Sequence, residues 1–272
     1  MKRNLVFWIV AVIITILSAY YQRITGPTYP LSGSEVFQGN EIFYKFSRSH
    51  STASGCPVVL PLPDSTMKAT LIYNNLTKSD QNRVEMKIFR DTIVTKEVSA
   101  KMQRGYFAYG ELPPQSETEK LQYYVRVVKD NYEKEVPEKN KVVIRYKGDV
   151  PAPILILHII FMFLAMLLSV RTVFEYWSKN PNIKKYVYWT LITLFIGGFP
   201  LGMLVQKFAF GEYWTGVPFG FDLTDNKTLI AFIGWVIALI SVYKSKNHKW
   251  WVIGATILML VVFLIPHSLL GS

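Results

Sequence analysis

The sequence predicts a membrane protein of α+β class, and three observations carry that prediction. Half of the 272 residues are hydrophobic and only 18% are charged, with a mean hydropathy of +0.21, a balance foreign to disordered chains and to ordinary soluble domains. The apolar residues gather at the N-terminus and after Val150. Between those regions the apolar periodicity changes to two, the signature of half-buried strands. The expected organisation is an N-terminal anchor helix at 1–24, an extracytoplasmic β-sandwich at 25–149 and a bundle of four transmembrane helices at 150–272.

The first segment, Leu5 to Tyr21, is apolar apart from Thr15, Ser18 and interfacial tyrosines, and follows Lys2 and Arg3. A cleavable signal ends in small residues at alternate positions, whereas this one ends Leu-Ser-Ala-Tyr-Tyr-Gln-Arg, so it reads as an uncleaved anchor. Four further spans are expected at Ile154 to Val173, Tyr186 to Val205, Thr228 to Tyr243 and Trp250 to Ile265, set against the roughly 20 residues that cross about 30 Å of hydrocarbon. The fourth of the five covers only about 24 Å at 1.5 Å per residue, short of the hydrocarbon thickness, so its outer end is expected to be recessed beneath the preceding loop. Lys2 and Arg3, then Arg171, Lys179, Lys184 and Lys185, then Lys244, Lys246 and Lys249 all fall on one side of this arrangement. The excess of positive charge assigns that side to the cytoplasm. The N-terminus is then cytoplasmic, and the β-domain and C-terminus are periplasmic.

The middle block contains β-rich runs at 41–46, 68–73, 84–89, 106–109, 121–128 and 141–146, separated by Gly, Pro, Asn and Asp. Short strands with this turn punctuation suit an immunoglobulin-like or fibronectin-like sandwich lacking the cysteine pair of antibody domains. Leu112-Pro-Pro followed by Leu121-Gln-Tyr-Tyr-Val-Arg-Val matches the approach to a strand at which a tyrosine closes a corner. The single cysteine, Cys56, excludes an intrachain disulfide. The run from Ser47 to Cys56 holds His50, serines and that cysteine, but neighbours in sequence do not make a nucleophile and its base, and the composition is that of a solvated loop. The net charge of +11 is spread over the β-domain and beside the spans, which fits membrane topology and not nucleic-acid binding.

Within the helices, charged side chains are scarce, against the expectation for an ion-driven pump. The polar exceptions are His158, inside the second span, and His267, at the end of the fifth. In an up-and-down bundle the first and last of the four C-terminal helices are neighbours, so the two imidazoles are candidate axial ligands of a haem b, with Gly197-Gly-Phe-Pro-Leu-Gly202 leaving room for a flat ligand. The alternative is an interhelical hydrogen bond from His158 and close packing at the glycines. The loop from Phe208 to Lys227 is aromatic and Gly-punctuated. Tyr213, Trp214, Asp222 and Asp225 are its candidate ligand-binding residues, with Glu212 a further carboxylate. Helix capping by Asp222 or Asp225, with ion pairing to Lys207 or Lys227, is the structural alternative.

This loop, the phrase His158-Ile-Ile-Phe-Met-Phe-Leu-Ala-Met166 and the ending Ile265-Pro-His-Ser-Leu-Leu-Gly-Ser272 together resemble a family of uncharacterised bacterial inner-membrane proteins with the same domain order. The resemblance implies no particular activity, but it implies a bacterial envelope. Three functions are therefore expected to compete, of which an intramembrane enzyme or small-molecule carrier using Glu212, Asp222, Asp225 and the histidines has the least support. One is a non-enzymatic envelope protein that presents its β-sandwich to a protein partner, with the lipid bilayer as its other partner. Another is a haem- or quinone-binding electron-transfer subunit using His158 and His267.

Overall fold

In the computed structural model the described residues are 2–76, 80–91, 105–117 and 119–265. The chain forms two compact units, one of Met1–Pro27 with Val150–Ser272 and the other of Thr28–Asp149. The class is α+β. The N-terminal helix thus belongs to the same unit as the C-terminal helices.

The helical unit comprises α1 (Lys2–Thr25), α2 (Ala152–Glu175), α3 (Ile183–Phe210), α4 (Leu223–Lys244) and α5 (His248–Leu264). The first four are long and apolar enough to cross a membrane. The last, with 17 residues, reaches only about 26 Å. The expectation of a short fourth helix is corrected here. It starts at Leu223 and has 22 residues, about 33 Å. Its polar first turns read as loop in the sequence, yet Asp225 and Lys227 are buried and bonded in place, so the helix extends through them. Met166, Val187, Leu194, Trp235, Val252 and Met259 lie in the buried core. The helices α2 and α5 are adjacent, with the Thr256 hydroxyl donating to the Ser169 carbonyl at 3.2 Å.

One π-helical turn, Gly197–Leu201, interrupts α3 around Pro200. Proline has no N–H to give the preceding turn and its ring crowds that turn, so the ladder widens there. Close packing requires the glycines: a Cβ at Gly198 would sit 2.5 Å from Thr228 Cγ2, and one at Gly197 would sit 3.0 Å from Met162 Sδ.

In the β unit, β1 (Leu31–Phe37) pairs with β2 (Asn40–Phe46). A second sheet runs in the order β3 (Ser49–Ser51), β11 (Val142–Lys147), β9 (Lys120–Lys129), β5 (Lys68–Asn75), β6 (Gln81–Glu85), and β10 (Tyr132–Val136) also pairs with β9. The third sheet is β4 (Cys56–Leu62), β8 (Gly105–Leu112), β7 (Lys87–Asp91). Alternation fills one core from all three sheets: Leu121, Tyr123, Val125 and Val127 on β9 face it with Val58 and Leu60 on β4 and Ile42 on β2. The run expected at 84–89 divides at Met86, whose N–H donates to the Ala69 carbonyl at 2.9 Å, so β6 joins one sheet and β7 another. Cys56 is buried in this core and is not in a disulfide. Tyr123 donates its hydroxyl to the Ser47 carbonyl at 2.8 Å. Its partner is thus on the β2–β3 connection and not on the chain just upstream of β9, as the corner pattern would have it. Burial pushes the Tyr123 hydroxyl well above its ordinary pKa, which keeps it a neutral donor.

Candidate functional site

The polar groups of the helical unit gather at two places. The first is the connection between α3 and α4 with the adjoining kink. The left-handed Gly211 ends α3, and Asp222 starts α4 by accepting the Thr224 and Asp225 N–H groups at 2.7 and 3.1 Å. In a capping box the third helical residue reaches back to the cap. Asp225, which occupies that position, reaches instead into the loop: its Oδ2 accepts the N–H groups of Thr215 at 2.6 Å and Gly216 at 3.1 Å, and the Thr215 hydroxyl at 3.2 Å. The Asp222 N–H donates to the Thr215 carbonyl. Gln206 donates to the Thr215 hydroxyl at 2.6 Å, and the Asn226 side-chain oxygen accepts the Val217 N–H at 2.8 Å. A Cβ at Gly216 would lie 2.7 Å from Asp225 Cβ, so only glycine allows this approach.

The aromatic candidates divide. Trp214 stacks on Phe199 with centroids 5.6 Å apart and planes 13° apart, and donates its indole N–H to the Val217 carbonyl. Tyr213 is exposed, with the Lys207 ammonium 5.3 Å from its ring centre; that ammonium also donates to the Gly211 carbonyl. Glu212 is exposed. Lys227 is buried and donates to the Ile265 carbonyl at 2.9 Å, tying the start of α4 to the end of α5.

His158 is half-buried on α2, and its Nδ1 lies 2.9 Å from the Gly197 carbonyl in the widened turn of α3. A carbonyl only accepts, so Nδ1 carries the proton, and in the neutral ring Nε2 keeps its lone pair. The imidazole therefore turns to α3. The kink brings His158 and Trp214 onto one segment, since Phe199 under Trp214 lies two residues beyond Gly197. His267 lies outside the described residues, so the histidine pair is not compared in space.

The second place was missed in the sequence. Arg171 and Glu175, in the last turns of α2, are almost wholly buried, 2.6 Å apart. Arg171 also donates to the Asn4 side chain of α1 at 2.6 Å, and its guanidinium carbon lies 4.7 Å from the Tyr186 ring centre, 5.4 Å from that of Trp8 and 5.7 Å from that of Phe7. Glu175 accepts the N–H of Asn182, the cap of α3. The i, i+4 spacing of opposite charges on an apolar helix was the available signal, but Arg171 was absorbed into the basic cluster that sets topology.

In the β unit, His50 Nε2 lies 3.2 Å from the Ser54 hydroxyl, while Asp149 accepts from Ser51 at 2.9 Å. A nucleophilic triad needs the carboxylate on the histidine's other nitrogen. Here it is spent on a different serine. Among the described residues no three His, Cys, Asp or Glu side chains gather as a metal-ligand set. Comparison of the chain with protein-family models, with curated proteins and with solved structures finds no match.

Proposed function

We propose that this chain is a non-enzymatic protein of the bacterial inner membrane. In this reading the helical unit anchors an immunoglobulin-like β-sandwich and offers it to an envelope protein on the periplasmic side. One observation carries it: of the carboxylates at the candidate site, Asp225 accepts backbone N–H groups of the α3–α4 connection and Asp222 accepts those of the first turn of α4, and groups committed to capping and bracing make a scaffold. Support for a sandwich comes from the single core shared by three sheets, and support for the orientation comes from the lysines that follow α2 and α4. The test is cysteine labelling in intact cells, on a Cys56→Ser background. Lys68→Cys should react with a membrane-impermeant maleimide and Lys246→Cys should not. The reverse pattern overturns the orientation and, with it, the periplasmic partner.

A second reading has one specific observation in its favour. A histidine whose Nδ1–H is held by a backbone carbonyl presents Nε2 in the tautomer that haem or metal ligation uses, and His158 is so held. The bond from Lys227 to Ile265 brings the end of α5, two residues before His267, to the same end of the unit. In this reading His158 and His267 ligate a haem b, with Tyr213 and Trp214 beside it. The purified chain would then show a haem absorption band that His158→Ala abolishes, and a colourless preparation from haem-replete cells would overturn it.

A further inference from the structure

Phe219 and Phe221 are the most exposed large apolar side chains among the described residues, at 84% and 92%, yet the connection that carries them is held firmly. Asp222, Asp225, Asn226, Gln206 and Trp214 all bond it, as described above, and the Phe219 and Gly220 N–H groups close turns on the Gly216 carbonyl. The loop cannot readily fold its rings inward. Phe221 directly precedes the helix cap, where an apolar residue ordinarily packs on the fourth residue of the helix. That residue is Asn226, engaged with Val217, so Phe221 has no apolar seat on its own helix.

We infer that Phe219 and Phe221 form a rigid wedge that seats in the lipid leaflet next to the α3–α4 connection, at the boundary between headgroups and acyl chains. Continuity with the lipid-contacting surface supports this occupant. The connection leaves and re-enters membrane-length helices whose apolar faces are exposed right up to it, through Phe208 on the last turn of α3 and Ile230 and Ile233 on α4. The chemistry at its base agrees. Lys207 stretches along Tyr213 to a backbone carbonyl, and a basic side chain beside an exposed tyrosine is how interfacial anchors are built. Bracing by the buried Asp225 then holds two aromatic rings at a set depth, as an interfacial amphipathic element does. The inference holds whichever side of the membrane the connection faces.

The full chain is reconstituted in vesicles of equal parts phosphatidylethanolamine and phosphatidylglycerol, on a Cys56→Ser background. Phe219→Cys and Phe221→Cys each carry a bimane label, with Tyr132→Cys in the β unit as the aqueous control. Both positions are so exposed that the label disturbs no packing. Nitroxide lipids labelled high on the acyl chain should quench the two wedge positions at least about twofold more than the control, as for groups seated at the headgroup boundary. Quenching no greater than at Tyr132→Cys overturns the inference. So does blue-shifted bimane emission without lipid quenching, because the rings would then be covered by protein.

Discussion

Arg171 lies beneath the ring of Tyr186, 4.7 Å from guanidinium carbon to ring centre, while Glu175 sits 2.6 Å from the same guanidinium. The ion pair on α2 thereby touches two other helices: α1 through Asn4, Phe7 and Trp8, and α3 through Tyr186 and through the N–H of its cap residue Asn182, which donates to Glu175. Phe7 also stacks on Phe174, 5.4 Å away. The Arg171 Nε and Nη1 atoms are buried and donate to no acceptor among the described residues, which leaves aromatic faces as their surroundings. The N-terminal helix is thus docked by a specific polar contact as well as by apolar packing.

Breaking that pair from one side strands a buried charge. Arg171→Met or Glu175→Gln is expected to destabilise the helical unit by about 3–5 kcal/mol, whereas Arg171→Met combined with Glu175→Met recovers most of the loss. Arg171→Lys should also weaken the unit, because an ammonium cannot stack its plane on Tyr186. Thermal unfolding in detergent, followed by tryptophan fluorescence, reads all four variants. A double replacement whose loss equals the sum of the two single losses would show that the pair is not coupled.

Asp225→Ala removes the oxygen that accepts the Thr215 and Gly216 N–H groups. A loss of about 1–3 kcal/mol is expected from buried donors left unmatched, localised in the α3–α4 connection. Limited proteolysis should therefore cut the variant between Gly211 and Phe221 faster than the parent chain, with cleavage in the β unit unchanged. Protection equal to the parent's would mean that Gln206 and Asn226 hold the connection without the carboxylate.

The sequence made some of this legible and hid the rest for identifiable reasons. Membrane helices are visible because lipid contact demands long apolar runs, and β9 is visible because Leu121, Tyr123, Val125 and Val127 alternate cleanly. The strand β4 is harder to see: Pro57 and Pro61 argue against a strand, and they are tolerated because β4, among the described residues, pairs with β8 alone and so lies at a sheet edge. The charged β10 and the Ser- and Gly-containing β1 carry little apolar periodicity. The start of α4 was hidden because the burial of Asp225 and Lys227 depends on partners ten and thirty-eight residues away, which local pattern does not encode. The role of Asp222 as a cap was readable, since its position before a helical run is enough to suggest it.

The contact between Gly198 and Thr228 offers a test of packing at the kink. A Cβ at position 198 would come within 2.5 Å of Thr228 Cγ2, so Gly198→Ala should cost about 1–3 kcal/mol through overpacking. Thr228→Ser removes that methyl group and keeps the hydroxyl that bonds the Thr224 carbonyl at 3.1 Å. Combining the two substitutions is expected to restore most of the melting temperature. A double variant no better than Gly198→Ala would place the strain on the α3 backbone itself.

Acid should reveal a second bracing carboxylate, this one in the β unit. The Lys129 ammonium, 2.5 Å from Asp64, and the Thr66 hydroxyl and N–H, at 2.6 and 2.7 Å, all donate to its carboxylate, and together they lower its pKa to about 2, with Lys129 the largest cause. Because the folded value is below the unfolded one, the unfolded chain binds more protons between the two. The contribution of Asp64 to stability is therefore complete above the ordinary aspartate value of about 3.9 and is lost as pH falls through the folded value. Lys129→Met should move the Asp64 titration midpoint, read by carboxyl NMR, up toward the ordinary value, and should flatten the loss of β-unit stability across that acid window. A midpoint unmoved by Lys129→Met would transfer the depression to Thr66, and Thr66→Val would then be the substitution that raises it.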